Sequence, residues 1–372
     1  MKRLVYLDYN ATSPIRDEVI DTVTAAMRTV GNPSSVHAAG RDARARVEEA
    51  RTQVAAMVNA RPRDVVFTSG GTEASNTVIR GTGAASILIS AIEHDCGFAA
   101  AKESGVPVYV IPTSDHGVVD MDALQSLLAK AEKPALVSVM LANNEMGALQ
   151  DVAAIATVAK EHGARMHTDA VQAAGRISLD FKALGVDYLT LSAHKLGGPQ
   201  GVGAIVLGPT APLKSLIAGG GQELSRRSGT ENVAGIAGFG AAAMEAMVGL
   251  GDMDRIKGLR DKLESEIRAV ANDVIVVGSG AERIANTSCL IMPGVKGETQ
   301  VMHFDLNGIC VSSGSACSSG KVKVSHVLTA MGFAPEQAEC SIRVSLGYQT
   351  TEADVDAFVA AWKSIYSRTR AR

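Results

Sequence analysis

The sequence predicts an α/β protein built on a large, mostly parallel sheet, with a smaller α+β domain beside it. Three observations carry that expectation. Short apolar runs alternate with helical stretches between residues 65 and 207, the pattern of strands joined by crossover helices. Polar residues able to do chemistry follow the ends of those runs, where an open α/β sheet gathers its ligands. Beyond Gly219-Gly220-Gly221-Gln222 the pattern changes to short strands scattered among helices. A chain of 372 residues exceeds one average domain and can bury a large core. The expected division is a large domain over residues 15–254 and a small domain made of residues 1–14 and 255–372.

Residues 17–30 carry Val19, Ile20, Val23 and Met27 at helical spacing, and Gly31-Asn32-Pro33-Ser34-Ser35 ends the pattern in a polar loop. Val47, Val54 and Val58 recur at helical intervals beside the charges of residues 41–51, which therefore read as a solvated helix face. Strands are expected at 65–68, 87–90, 106–111, 135–141, 165–168, 186–192 and 203–207, with helices among them from 122 and over 152–162. An alanine-rich helix from 234 and another over 255–270 precede short strands at 274–277, 288–292 and 341–346. Val355, Phe358, Val359, Trp362 and Ile365 give residues 352–366 the buried stripe of a terminal helix.

Thirty-six Lys and Arg stand against 39 Asp and Glu, a formal net charge of −3. With no basic block or stripe, neither nucleic acid nor an anionic membrane is expected as a direct partner. The apolar stretch at the start is too short for a signal peptide, and no later stretch is expected to approach a transmembrane span. A cytoplasmic location follows as an expectation. Cys96, Cys289, Cys310, Cys317 and Cys340 are odd in number and unpaired in spacing, which points to reduced thiols.

Lys195 follows the run 186–192 in Ser192-Ala193-His194-Lys195, and Asp169 follows the run 165–168 in His167-Thr168-Asp169-Ala170-Val171-Gln172. A lysine at a strand end can form a Schiff base with an aldehyde cofactor, and an aspartate can keep a pyridine nitrogen protonated. The pair looks like a pyridoxal 5'-phosphate site, although each residue alone has a blander reading as surface lysine or helix N-cap. Ser69-Gly70-Gly71-Thr72-Glu73-Ala74 follows the strand 65–68 and opens a helix, so its N–H groups, including that of Gly71, and the Thr72 hydroxyl can cradle a phosphate.

His94, in Glu93-His94-Asp95-Cys96, can stack on a flat ring or move protons. A metal held by His94, Asp95 and Cys96 is set aside, because adjacent residues rarely converge on one ion, and no metal is expected. Asn143-Asn144-Glu145 supplies a strand-end polar group, or simply a turn with a left-handed asparagine. Gln172 can face the same ligand edge as Asp169, and Ser192 and His194 can add phosphate donors. Arg226 and Arg227 can reach a phosphate, across a subunit boundary included, or sit on the surface. Arg343 can grip a carboxylate at two points or pair with an acidic neighbour. Cys317 lies in the Ser/Gly run 311–320, too polar for core and suited to presenting a thiol on a loop. The other four cysteines read as buried and inert.

Leu7-Asp8-Tyr9-Asn10-Ala11-Thr12, Gly31-Asn32-Pro33-Ser34-Ser35, Thr68-Ser69-Gly70-Gly71-Thr72-Glu73-Ala74, Asn143-Asn144-Glu145, the Asp169 and Lys195 segments and Arg227-Ser228-Gly229-Thr230-Glu231-Asn232 occur in one order. With the Cys317 segment, they make the chain resemble the cysteine desulfurases of the NifS/IscS group (group I), in the class V aminotransferase-like superfamily. The resemblance runs from about residue 4 to about residue 350. It implies a fold-type I transferase in which Lys195 binds the cofactor and moves the substrate's alpha proton. It places Asp169 at the ring nitrogen, Gln172 at the ring hydroxyl and His94 over the ring.

By the same resemblance Thr72, Ser192 and His194 hold the phosphate, and Thr230 comes from the second subunit of a homodimer. Asn144 lies beside the substrate and Arg343 binds its carboxylate. Cys317 then takes the sulfur of L-cysteine as a persulfide, releasing L-alanine and passing sulfur to an acceptor such as an iron-sulfur scaffold or a tRNA-thiolation relay. After Lys195 the chain departs from the family: it reads Leu196-Gly197-Gly198-Pro199-Gln200-Gly201, where an aromatic often precedes the glycine and a lysine follows the proline. A class V aminotransferase and a selenocysteine lyase are the alternative enzymes, and a catalytically silent adaptor the alternative from another class. The intact set Lys195, Asp169, Cys317 and Arg343 argues against silence.

Overall fold

The computed structural model describes residues 4–314 and 324–370. Its strands, in chain order, are β1 (Val5–Tyr6), β2 (Val65–Thr68), β3 (Ser86–Ser90), β4 (Val108–Ile111), β5 (Ala135–Ser138), β6 (Arg165–Asp169), β7 (Tyr188–Ser192), β8 (Gly203–Leu207), β9 (Ile275–Val276), β10 (Thr287–Ile291), β11 (Ile309–Cys310), β12 (Ser312–Ser313) and β13 (Ser341–Ser345). A seven-stranded sheet has the order β2-β8-β7-β6-β5-β3-β4. From β4 to β7 neighbouring strands are parallel, while β8 runs antiparallel to both β7 and β2. The reversal has a simple cause: residues 193–202 hold one short turn of 3-10 helix instead of a crossover helix, and a parallel return needs a longer connection.

The central strands are buried along their length save for Arg165 at the start of β6, which explains why most of them read as apolar runs. The edge strand β4 instead exposes Val108 and Val110. The helix Ala38–Met57 packs against Val233–Gly249, which also meets Asp17–Met27. Two expectations change here. The segment Val233–Arg268 is long and apolar enough by composition to cross a membrane. In the fold it comprises the helices Val233–Gly249 and Met253–Arg268 with a 3-10 turn between them, and the first buries Ile236, Phe239, Ala242, Ala243 and Ala246 in the core. The charges of residues 41–51 are solvated apart from Arg51, which is buried.

A second core lies under the four-stranded antiparallel sheet β12-β13-β10-β9 and the parallel pair β1-β11. Its helices Gly297–Leu306 and Glu352–Arg370 stack Phe304 on Phe358 at 4.8 Å, and Trp362 is fully buried. Val5 and Leu7 belong to this core, so the N-terminal strand is built into it before the chain passes to the larger sheet. The two-residue strands β1, β11 and β12 are too short to show a period of two in the sequence.

Arg51 forms a two-point contact with Glu223 at 2.7 and 2.7 Å, and Glu223 also accepts from the Phe67 N–H at 2.9 Å. Glu223 takes a left-handed backbone, φ 49°, to reach them. Glu223→Gln leaves the buried guanidinium with only the exposed Glu48, 3.1 Å from its Nε, as counter-charge, so a loss of about 3 kcal/mol is expected, measured as a lower midpoint in urea denaturation.

Candidate active site

The C-terminal ends of β3, β5, β6 and β7 share one edge, and β2, parallel to β7 across β8, ends there too. A cavity of ≈ 280 Å³ opens at this edge. Its wall includes Gly71, Thr72, His94, Asn144, Asp169, Gln172, Ser192, His194, Lys195 and Arg343. All the cofactor and substrate positions expected from the sequence therefore meet in one place except Thr230. That residue is exposed and lines a different cleft with Arg227 and Asn232. Cys317 lies outside the described residues.

Lys195 leaves β7 on a 3-10 turn, Ala193–Lys195, and its ammonium donates to the carbonyls of Asn10 at 2.6 Å and Ala11 at 2.8 Å. Asp169, at the end of β6, accepts from the Val171 N–H at 2.8 Å. Burial pushes its carboxyl up to about 6, against the opposing pull of that hydrogen bond and of Lys195. His94 caps the helix Asp95–Lys102 through Nδ1, which accepts from the Cys96 N–H at 3.2 Å. A lone pair used in this way leaves the proton of the neutral ring on Nε2, and burial followed by Lys195 lowers the ring's affinity for a second proton. His194 touches Thr12 Oγ1 at 3.2 Å, and burial pulls it down to about 4.

Gly71 begins the helix Gly71–Gly81. The first N–H groups of such a helix have no carbonyl ahead of them, and they favour an anion. A Cβ on Gly71 would come within 3.0 Å of Val171 Cγ2, so glycine keeps this wall open. On the opposite side Arg343 arrives from β13. It pairs with Asp8 at 2.9 Å and donates to the Asn144 carbonyl at 3.1 Å. The acidic neighbour expected for Arg343 is present, while its Nε, like the buried Asn144 Oδ1, has no partner among the described residues. A guanidinium has five N–H donors, and these two bonds leave three for an incoming carboxylate.

Other expectations are corrected. Neither Asn143 nor Asn144 is left-handed. Asn143 Oδ1 accepts from the N–H groups of Glu145 and Met146 at 2.9 and 3.1 Å, and Gly147 carries the positive φ. Arg227 is held by Glu73 at 2.9 Å, which gives it a partner within the chain. Cys96 lines the cavity and is only half-buried rather than part of the core, yet burial pushes it up to about 12, which keeps the thiol neutral and inert as expected. Cys310 is only half-buried. Asn10 and Met140 also line the cavity and were not singled out as site residues. The sole hint of Asn10 was the 7–12 segment, whose place beside Lys195 depends on contacts across the whole chain.

An amine, a buried carboxylate, a helix N-terminus with a glycine wall and an unsatisfied guanidinium nitrogen fit a planar, anionic aldehyde and an amino-acid substrate. Residues 5–358 match the model of the aminotransferase class-V family. The chain belongs to that family. It is 39% identical to the cysteine desulfurase IscS of Dictyoglomus turgidum, over 100% of this chain and 96% of that protein. It is 40% identical to an IscS-like cysteine desulfurase of Mycobacterium tuberculosis, over 99% and 97%. A solved NifS-like protein from Rickettsia africae superposes with a TM-score of 0.91 at 38% identity, covering 98% of this chain and 100% of that one. The fold is therefore fold-type I, and the cofactor of this class-V chain is pyridoxal 5'-phosphate. Lys195→Ala removes the amine expected to anchor the cofactor and to move protons. Turnover should fall by at least ~10²-fold, and borohydride should fix cofactor to the wild-type chain at Lys195 but not to the variant.

Proposed function

We propose that the protein is a cysteine desulfurase that converts L-cysteine to L-alanine and carries the sulfur away on Cys317. The observation that carries this reading is the convergence of Lys195 and Asp169 from the large sheet with Arg343 from the small one on a single cavity. Arg343 Nε and the Asn144 side chain receive the substrate carboxylate, which fixes the amino acid with its alpha carbon toward Lys195. The bound cofactor supplies an electron sink for the bonds at that carbon. Asp169 presents its carboxylate to the ring nitrogen. Gln172 meets the ring hydroxyl, and Gly71, Thr72, Ser192 and His194 surround the phosphate.

Lys195 takes the alpha proton, and the carbonyls of Asn10 and Ala11 stabilise the ammonium that results. His94 lies over the ring and offers a proton from Nε2. The Cys317 thiolate attacks the substrate sulfur. The Cβ–S bond breaks with its electron pair retained by carbon, one proton is added at Cβ and Lys195 returns the alpha proton to complete alanine, and the sulfur stays on Cys317 as a persulfide. The role of Cys317 rests on its place in the Ser/Gly run of the sequence.

The working unit is a homodimer in the cytoplasm, and the acceptor is a protein of iron-sulfur or thio-cofactor and tRNA assembly. Val30, Val36 and Leu224 are strongly exposed apolar side chains, and Leu224 lines a surface cleft with Pro33 and Ser34. A second copy covering this surface removes it from water and can bring the partner subunit's Thr230 to the phosphate. Sedimentation should give twice the chain mass, and a monomer that is fully active would overturn the dimer. Cys317→Ser should abolish alanine formation from L-cysteine while keeping the visible cofactor band. Mass spectrometry of the wild type should find one added sulfur on Cys317. Turnover of another amino acid or of selenocysteine that survives the substitution would instead favour a class V aminotransferase or a selenocysteine lyase.

A further inference from the structure

Arg176 is buried at 7% exposure, in the turn that follows β6. The residue before it, Gly175, has φ 73°, and a Cβ there would meet Ala246 Cβ at 3.0 Å and Leu196 Cβ at 3.4 Å. The turn is thus pressed against the helix Val233–Gly249 and the residue after Lys195, which fixes where the guanidinium lies. Arg176 donates to the Gln172 carbonyl at 2.6 Å, to Gln172 Oε1, and to the Tyr9 carbonyl at 3.4 Å. Every one of these acceptors is neutral, and among the described residues no carboxylate lies within ion-pair distance of Arg176. Burial and the nearby Arg343 pull its proton affinity down to about 9, which still leaves a cation at neutral pH. Isolating a charge in this way costs several kcal/mol, so an anion is missing from its surroundings.

The hydrogen bonds show where that anion belongs. With Oε1 turned to Arg176, the Gln172 amide has only its NH₂ group left, and one of those hydrogens goes to the Asn10 carbonyl at 3.0 Å. The other is available to the cavity, so Gln172 meets a ligand as a donor. A second, smaller cavity of ≈ 50 Å³ is lined by Arg176, Tyr9 and Lys195, placing the cation behind the anchoring lysine. We propose that Arg176 is a positioning residue for cofactor chemistry: it locks the Gln172 amide as a donor and supplies the positive charge that favours an anionic ring oxygen beside it. This rests on pyridoxal 5'-phosphate occupying the cavity with its ring hydroxyl at Gln172.

A cation on that side disfavours protonation of the Lys195 nitrogen once it is joined to the cofactor. Other groups facing the same space are Asp169, His94, His194, Cys96 and Arg343 on the main cavity and Tyr9, Arg16 and Tyr348 on the smaller one, and all are kept in the variants. The test is a spectrophotometric pH titration of the visible band of the loaded protein, with thermal melting of each variant. Arg176→Gln should raise the midpoint by on the order of one pH unit, and Arg176→Lys, which keeps the charge, should restore most of the difference. Gln172→Glu gives Arg176 a counter-ion without emptying the site. It should shift the midpoint in the same direction and decides the matter if Arg176→Gln does not fold. A midpoint unchanged in Gln172→Glu, or in a folded Arg176→Gln, overturns the inference. A wild-type protein with no visible band would sink the cofactor reading itself.

Discussion

The ammonium of Lys195 is held by two main-chain carbonyls of the N-terminal segment, and the relation between the two cores depends on that segment. Asn10 alone bonds to Lys195, Gln172, Asn144, Thr287 and Asn286. Its own N–H is taken by Ser345 Oγ at 2.9 Å. Two residues earlier, Asp8 accepts from Arg343 and from Ser312. A stretch that belongs to the small core by its packing thus crosses to the lysine of the large sheet, so Lys195 and Arg343 have a common reference. Buried polar groups of this kind are stable only when all are satisfied, which makes the junction sensitive to the loss of any one.

Burial governs the ionisation of the site. Asp169 is raised, while His94 and His194 are lowered, and desolvation is the leading cause in each case. Without a positively charged ring nitrogen the aspartate is reluctant to hold its charge, and such a ring supplies the missing partner. Glu93 lies in the same buried region, accepting from the Met140 N–H, and is pushed well above the usual carboxylate range by burial and then by Asp169. Its carboxyl therefore resists carrying a second negative charge beside Asp169. The neutral histidines in turn keep added positive charge away from Lys195.

Much of this arrangement was legible in the sequence because strand ends are legible. Lys195 and His94 follow apolar runs and Asp169 ends a short strand between them in the sheet, and the ends of parallel strands fall on one edge whatever the details of the helices. The antiparallel course of β8 was not legible, since its apolar run looks the same in either direction. Asn10 and Cys96 escaped as site residues because nothing local marks them: one reaches Lys195 across 185 positions, and the other borders the cavity only through the histidine cap beside it. Arg343 carried two rival readings that the fold reconciles, since an arginine has donors enough for both Asp8 and a substrate. Thr230 lies apart from the cavity of its own chain, so its meaning depends on a second molecule.

The ladder between β7 and β8 has a further consequence. Gly203 faces Ser192 across it, and a Cβ on Gly203 would lie 2.6 Å from the backbone of Gly70. The turn that receives an anion and the strand that delivers the lysine are therefore riveted through one bare backbone position, independently of the six residues that bulge between Lys195 and Val202. Leu196 in that bulge is itself packed into the large core. The span from the amine to the Gly70 turn is thus set by the ladder, and the loop only closes over it.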